Sequence, residues 1–133
     1  MKCLLGMTGL DVHSKGIRNL ARLLREAGHE VVYVGEHNSP RSIVRAALEE
    51  DAKVIGVSFS SAGYLEHVRA LMQAIHDEHA TDIPVMVGGL IPDGDDVDKL
   101  RTLGVSAVFG PRSNLEDVTA FLDSLTTTRP ESL

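Results

Sequence analysis

The chain has 133 residues, of which 43% are apolar and none is Trp, and a formal charge of −6. One domain is expected, large enough to bury about two-thirds of the surface of its unfolded form, with a core of Val, Ile, Leu and Ala. The acidic balance and the lack of a basic cluster argue against a nucleic-acid or anionic-membrane surface, and point to a small molecule or a protein as partner. Cys3 is the single cysteine, which excludes disulfide staples and a multi-thiolate zinc site. With no charged leader and no apolar stretch of about 18 residues, a reducing cytosol is the expected location.

In chain order, short apolar runs alternate with amphipathic segments. The first run, Lys2–Met7, is followed by Ile17, Leu20, Ala21, Leu24 and Ala27 on one helical face, with Gly28 where a left-handed cap is wanted. Glu30–Val34 is the second strand. Ser39 and Pro40 then supply an N-cap and a first-turn proline to a helix whose apolar face is Ile43, Val44, Ala47 and Leu48. A third strand, Lys53–Phe59, precedes a helix with Leu65, Val68, Leu71, Met72 and Ile75 on one face. Ile83–Val87 is the fourth strand, and Gly104 closes the helix after it. Val105–Phe109 is the fifth strand, and Ser113 and Glu116 have the spacing of a capping box for the last helix. Each run is too short for a helix, and several are rich in Val and Ile.

Five β-α units joined by right-handed crossovers imply a flavodoxin-like (Rossmann-like) α/β fold. It has a five-stranded parallel sheet of order 2-1-3-4-5 with helices on both faces. Residues 1–125 are assigned to this domain, and the polar segment 126–133, with Pro130, to a flexible C-terminal tail.

In that strand order the ligand crevice opens where strands one and three diverge, so the loops after strands one, three and four face a common ligand. All three are unusual. The first carries Asp11 and His13 in a Gly-flanked Asp-x-His-x-x-Gly ending at Gly16, the second reads Ser58-Phe59-Ser60-Ser61-Ala62-Gly63, and the third reads Gly88-Gly89-Leu90-Ile91-Pro92. A histidine beside a carboxylate suggests a metal ligand with the partner that fixes its tautomer. The small residues let a ligand approach the backbone, and the serine hydroxyls can bond it. Structural alternatives remain open for each: Asp11 and His13 as a surface or capping pair, Gly88-Gly89 as a tight turn, and Ser58 as a cap of the third helix. His76 and His79 sit three apart beside Asp77 and Glu78, in what reads as a solvated helix end, and Asp93, Asp95, Asp96 and Asp98 read as favourable charge at a helix start.

These patches resemble the cobalamin-binding domain, of the base-off, His-on kind, of adenosylcobalamin-dependent carbon-skeleton mutases such as methylmalonyl-CoA mutase. That family carries Asp-x-His-x-x-Gly, Ser-x-Leu and Gly-Gly at these places. Asp11, His13 and Gly16 match the first and Gly88-Gly89 the third; Ser58 matches the second, with Ser60 where leucine is usual. Met7 stands where many acyl-CoA mutases have lysine.

The resemblance implies His13 as the lower axial cobalt ligand, with Asp11 accepting a hydrogen bond from its other ring nitrogen. Leu10, Val12, Ser14 and Gly16 would complete the first contact segment, Ser58, Phe59 and Ser60 the second, and Gly88, Gly89, Leu90 and Ile91 the third. Gly110, Pro111, Arg112 and Ser113 would form the outer wall of a slot for the nucleotide tail, in which side chains at Gly88 and Gly89 would take the ligand's space. Implied too are adenosylcobalamin as cofactor and a barrel-containing mutase large subunit as partner, with no catalytic residue in this chain. A stand-alone corrinoid carrier or sensor is the alternative reading. A receiver-like signalling domain of the same topology fits less well, because Phe109 leads into Gly110-Pro111 rather than a lysine.

Overall fold

The computed structural model describes residues 1–7, 15–36, 38–59, 64–89, 94–110 and 113–127. Ten elements alternate: β1 (Lys2–Met7), α1 (Lys15–Glu26), β2 (Glu30–Tyr33), α2 (Pro40–Glu49), β3 (Val54–Phe59), α3 (Tyr64–Asp77), β4 (Val85–Gly89), α4 (Gly94–Thr102), β5 (Ala107–Phe109) and α5 (Leu115–Thr127). The strands form one parallel sheet in the order β2-β1-β3-β4-β5. This is the expected flavodoxin-like arrangement. The tail expected at 126–133 lies mostly outside the described residues, and α5 runs on to Thr127.

Alternation along the strands sends successive side chains to opposite faces, so the sheet carries two cores. On one face Leu4, Ile55, Val57, Val85 and Val87 pack under α2, α3 and α4 through Ile43, Val44, Val68, Leu71, Ile75 and Leu100. On the other, Cys3, Leu5, Met7, Val54 and Met86 pack under α1 and α5 through Ile17, Ala21, Leu24, Val118 and Leu122. Leu48, expected on the buried face of α2, is instead 44% exposed, beyond the edge of that face.

Element ends follow local chemistry. Ser39 caps α2, its hydroxyl accepting from the Ser42 amide at 3.1 Å with Pro40 in the first turn. Gly28 and Gly104 take positive φ after α1 and α4. The box at α5 falls one residue later than expected: Asn114 Oδ1 accepts from the Asp117 amide at 3.0 Å, and Asp117 Oδ2 from the Asn114 amide at 2.9 Å. The shorter Asp at the third helical position reaches back as well as the expected Glu116 would. β4 starts two residues later than its apolar run, because the Ile83 amide is spent on Ala80 O at 3.0 Å in a turn and Pro84 has no N–H to give. The shift carries Gly88 and Gly89 into the sheet, paired with Ser58 and Phe59.

Charge stays on the surface. Arg45 Nε donates to Glu78 at 2.8 Å across α2 and α3, which holds the Glu78 carboxyl below its usual range. Lys2 lies 3.3 Å from Glu50 and 3.4 Å from Glu30 at the opposite end of the sheet from the loops singled out above. Cys3 is fully buried, and burial pushes its thiol up to about 11. Because the unfolded thiol ionises near pH 8.5, the folded chain loses stability from this group as pH rises past that value, and none below it. At pH 8 a thiol reagent should therefore label Cys3 only as fast as the chain opens. Labelling faster than opening measured by hydrogen exchange would contradict the burial.

Candidate functional site

Parallel register aligns two transverse rows on the α1/α5 face. Leu5, Gly56, Met86 and Ala107 are successive neighbours in one row, and Met7, Ser58, Gly88 and Phe109 in the next. In the upper row Ser58 and Gly88 fall together on β3 and β4 and leave the centre almost without side chains, while in the lower row the Leu5 and Met86 side chains close over Gly56, where a Cβ would lie 2.6 Å from Leu5 Cδ2 and 2.9 Å from Met86 Cε. Helices α1 and α5, which pack closely over the lower sheet through Leu24 and Leu122, find little to rest on over Ser58 and Gly88. A cavity of about 520 Å³ results, of ordinary ligand-site size.

The sheet floors it with Leu5, Gly56, Ser58, Met86 and Gly88; α1 walls one side with Gly16, Ile17, Leu20 and Leu23, and the start of α5 the other with Leu115 and Val118. Polar side chains come from Asn19, Ser58, Ser113 and Asn114, and no titratable side chain of the described residues lines it. Such a surface suits a long, largely neutral ligand segment with apolar and hydrogen-bonding parts.

Of the residues singled out from sequence, Gly16, Ser58, Gly88, Gly89, Gly110 and Ser113 border this cavity. Phe59 does not. Its side chain belongs to the other core and stacks on His67 with ring centroids 6.0 Å apart. Leu10, Asp11, Val12, His13, Ser14, Ser60, Leu90, Ile91, Pro111 and Arg112 lie outside the described residues. His76 and His79 are exposed, and among the described residues no group of three or more potential ligands is placed to hold a metal. Sequence reasoning missed Asn19, Leu20 and Leu23 as cavity wall, and Gly56 as its floor. Gly56 carried a signal, an isolated glycine within a Val/Ile strand, which marks close approach of another body.

The two adjacent glycines do different jobs. At Gly88 a Cβ would sit 3.1 Å from the Phe109 carbonyl oxygen, a tight contact within the sheet. Gly89 has φ +107°, and a Cβ there would lie 2.0 Å from the Phe59 carbonyl oxygen. A side chain at Gly89 would thus meet backbone, not ligand space, contrary to the expectation from sequence. Gly89→Ala should destabilise the fold by more than about 2 kcal/mol, since a left-handed backbone and a backbone collision are both imposed. Urea unfolding would measure it; a midpoint within error of the parent would remove the assignment.

A family model described as the B12 binding domain matches residues 1–118. Two relatives are similar over most of their own length. The small subunit of 2-hydroxyisobutanoyl-CoA mutase from Aquincola tertiaricarbonis is 38% identical over 81% of this chain and 79% of its own. The pivalyl-CoA mutase small subunit of Xanthobacter autotrophicus is 34% identical over 94% of this chain and 83% of its own. A solved cobalamin-binding protein from Desulfitobacterium hafniense superposes with TM-score 0.78 at 21% identity, over 93% of this chain and 58% of that one. The receiver domain of a Francisella response regulator reaches 0.72 at 12% identity, over 96% and 98%. At these identities the structural likenesses speak for the fold alone.

Proposed function

We propose, since the chain belongs to the B12-binding domain family, that it carries cobalamin as the small subunit of an acyl-CoA mutase whose large subunit holds the substrate. The cavity beneath α1 and α5 carries this reading. It is apolar-walled, bears no titratable side chain among the described residues, and is bordered by the ends of β3 and β4 and the start of α1. It suits the nucleotide tail of a base-off cobalamin, with Ser58, Asn19 and Asn114 available to bond the tail's polar atoms and Leu5, Leu20 and Met86 to enclose its base.

His13 would hold the cobalt and Asp11 would accept its second ring N–H, orienting the imidazole and raising its basicity. When bound, adenosylcobalamin supplies a carbon radical through homolysis of its cobalt–carbon bond, and the protein's part is to hold and orient it. The small-subunit names of the two relatives support a partner large subunit that binds the acyl-CoA and shields the radical.

The axial assignment is tested by electron paramagnetic resonance of the cob(II)alamin complex made with nitrogen-15 protein. The axial hyperfine pattern should change with the label, vanish in His13→Ala, and persist with roughly 10–100-fold weaker cofactor binding in Asp11→Asn. A pattern indifferent to the label would rule out a histidine ligand. Separately, the chain saturated with adenosylcobalamin should show no mutase turnover until a candidate large subunit is added, and association should tighten with cofactor. Turnover by the chain alone, or a loaded chain that never associates, would favour a carrier or sensor role.

A further inference from the structure

At the far end of β1 the chain is held by a turn that belongs to neither neighbouring strand. β2 ends at Tyr33, yet the backbone keeps pairing: the Val34 amide donates to Leu5 O at 2.9 Å, and the Met7 amide donates to Gly35 O at 3.0 Å. Gly35, at φ +81°, turns its carbonyl toward β1. Asn38 then closes the turn. Its backbone amide donates to Met7 O at 3.1 Å, and its side-chain Nδ2 donates to the same oxygen at 3.1 Å and to Gly35 O at 2.9 Å.

Both backbone polar groups of Met7 are therefore engaged from the 35–38 side, while on the opposite side Met7 is registered with Ser58 of β3, which lines the cavity. Gly6 lets the turn come this close. A Cβ there would lie 2.7 Å from Val34 Cγ2 and 3.5 Å from Asn38 Nδ2. The carbonyl end of β1 is thus tied both to the cavity strand and to Asn38, and Met7 is the residue from which the chain continues into 8–14.

We infer that Asn38 is a positioning residue for cobalt ligation: its side-chain amide, by gripping Met7 O and Gly35 O, fixes the point from which the segment bearing Asp11 and His13 departs. The inference rests on the cobalamin reading above. Asn38 touches no cofactor in this assignment; it acts through the backbone of Met7. A carboxylate in its place would lose both side-chain donors and set negative charge against two carbonyl oxygens, with almost no change of size.

The experiment uses the full chain loaded with cobalamin and compares the parent with Asn38→Asp and Asn38→Ala, after thermal unfolding has established that each variant folds. Both variants should bind cobalamin at least tenfold more weakly, and at saturation a smaller fraction of cob(II)alamin should carry the nitrogen-15 axial signature. Folded variants with parental affinity and a parental axial signature would overturn the inference, even if they melt earlier, since loss of stability alone does not alter the ligand. Should neither variant fold, the unaltered nitrogen-15 chain provides the answer. The Asn38 side-chain amide resonances should shift when cobalamin is added, and resonances that stay in place overturn the inference. If the parent itself lacks the axial nitrogen signature, the cobalamin reading has failed, and that result is distinct from a parent that has it and variants that keep it.

Discussion

Everything about the site depends on one packing constraint: two helices must span a part of the sheet that offers them few side chains. Ser58 and Gly88 leave the ends of β3 and β4 short of side chains on one face, while Leu5 and Met86 close over Gly56 below them and Phe109 stands beside them. Glycine within a strand costs about 0.5–1 kcal/mol in chain entropy, and the lining of an unfilled space forgoes dispersion contacts.

The opposite face makes this tolerable. There β3 and β4 present Ile55, Val57, Phe59, Val85 and Val87 to α2, α3 and α4, and the burial is continuous. Tyr64 adds a polar tie on that side, its hydroxyl donating to Asp96 so that the first turns of α3 and α4 are joined. The sheet is thus supported from one side and left open on the other. Surface ion pairs such as Arg45–Glu78 add little to this balance, as exposed pairs generally do.

Most of the fold was legible in the sequence because its signals are local. Period-two and period-3.6 runs located the strands and helices, and Gly28, Ser39-Pro40 and Gly104 marked ends that backbone sterics and unpaired amides impose. The misreadings arose where two local signals competed. Ile83 looks like strand but is held in a turn before Pro84; Ser113 looks like a cap but Asn114 takes the role; Leu48 continues an apolar stripe past the edge of the sheet that stripe covers. Of the site, Ser58 and the glycines around it were legible as unusual loop chemistry. The helix residues facing them, Asn19, Leu20 and Leu23, were not, because on α1 alone they are ordinary members of an amphipathic helix.

The sequence by itself determined the succession of elements, the strand order that five right-handed β-α units produce, and the Asp11, His13, Ser58 and Gly88-Gly89 patches that resemble a cobalamin-binding domain. Only the tertiary structure decided what lies beside what. Register between parallel strands is set by the packing of whole faces, so nothing local in the chain could reveal that Gly56 lies beside Met86, that Ser58 pairs with Gly88, or that the missing side chain of Gly89 makes room for the Phe59 carbonyl. The grip of Asn38 on Met7 is of the same kind, a contact between residues 31 positions apart that exists because β1 and β2 are neighbours in the sheet. Contacts across a crossover depend on how the intervening helix seats on the sheet, and that is a property of the assembled core.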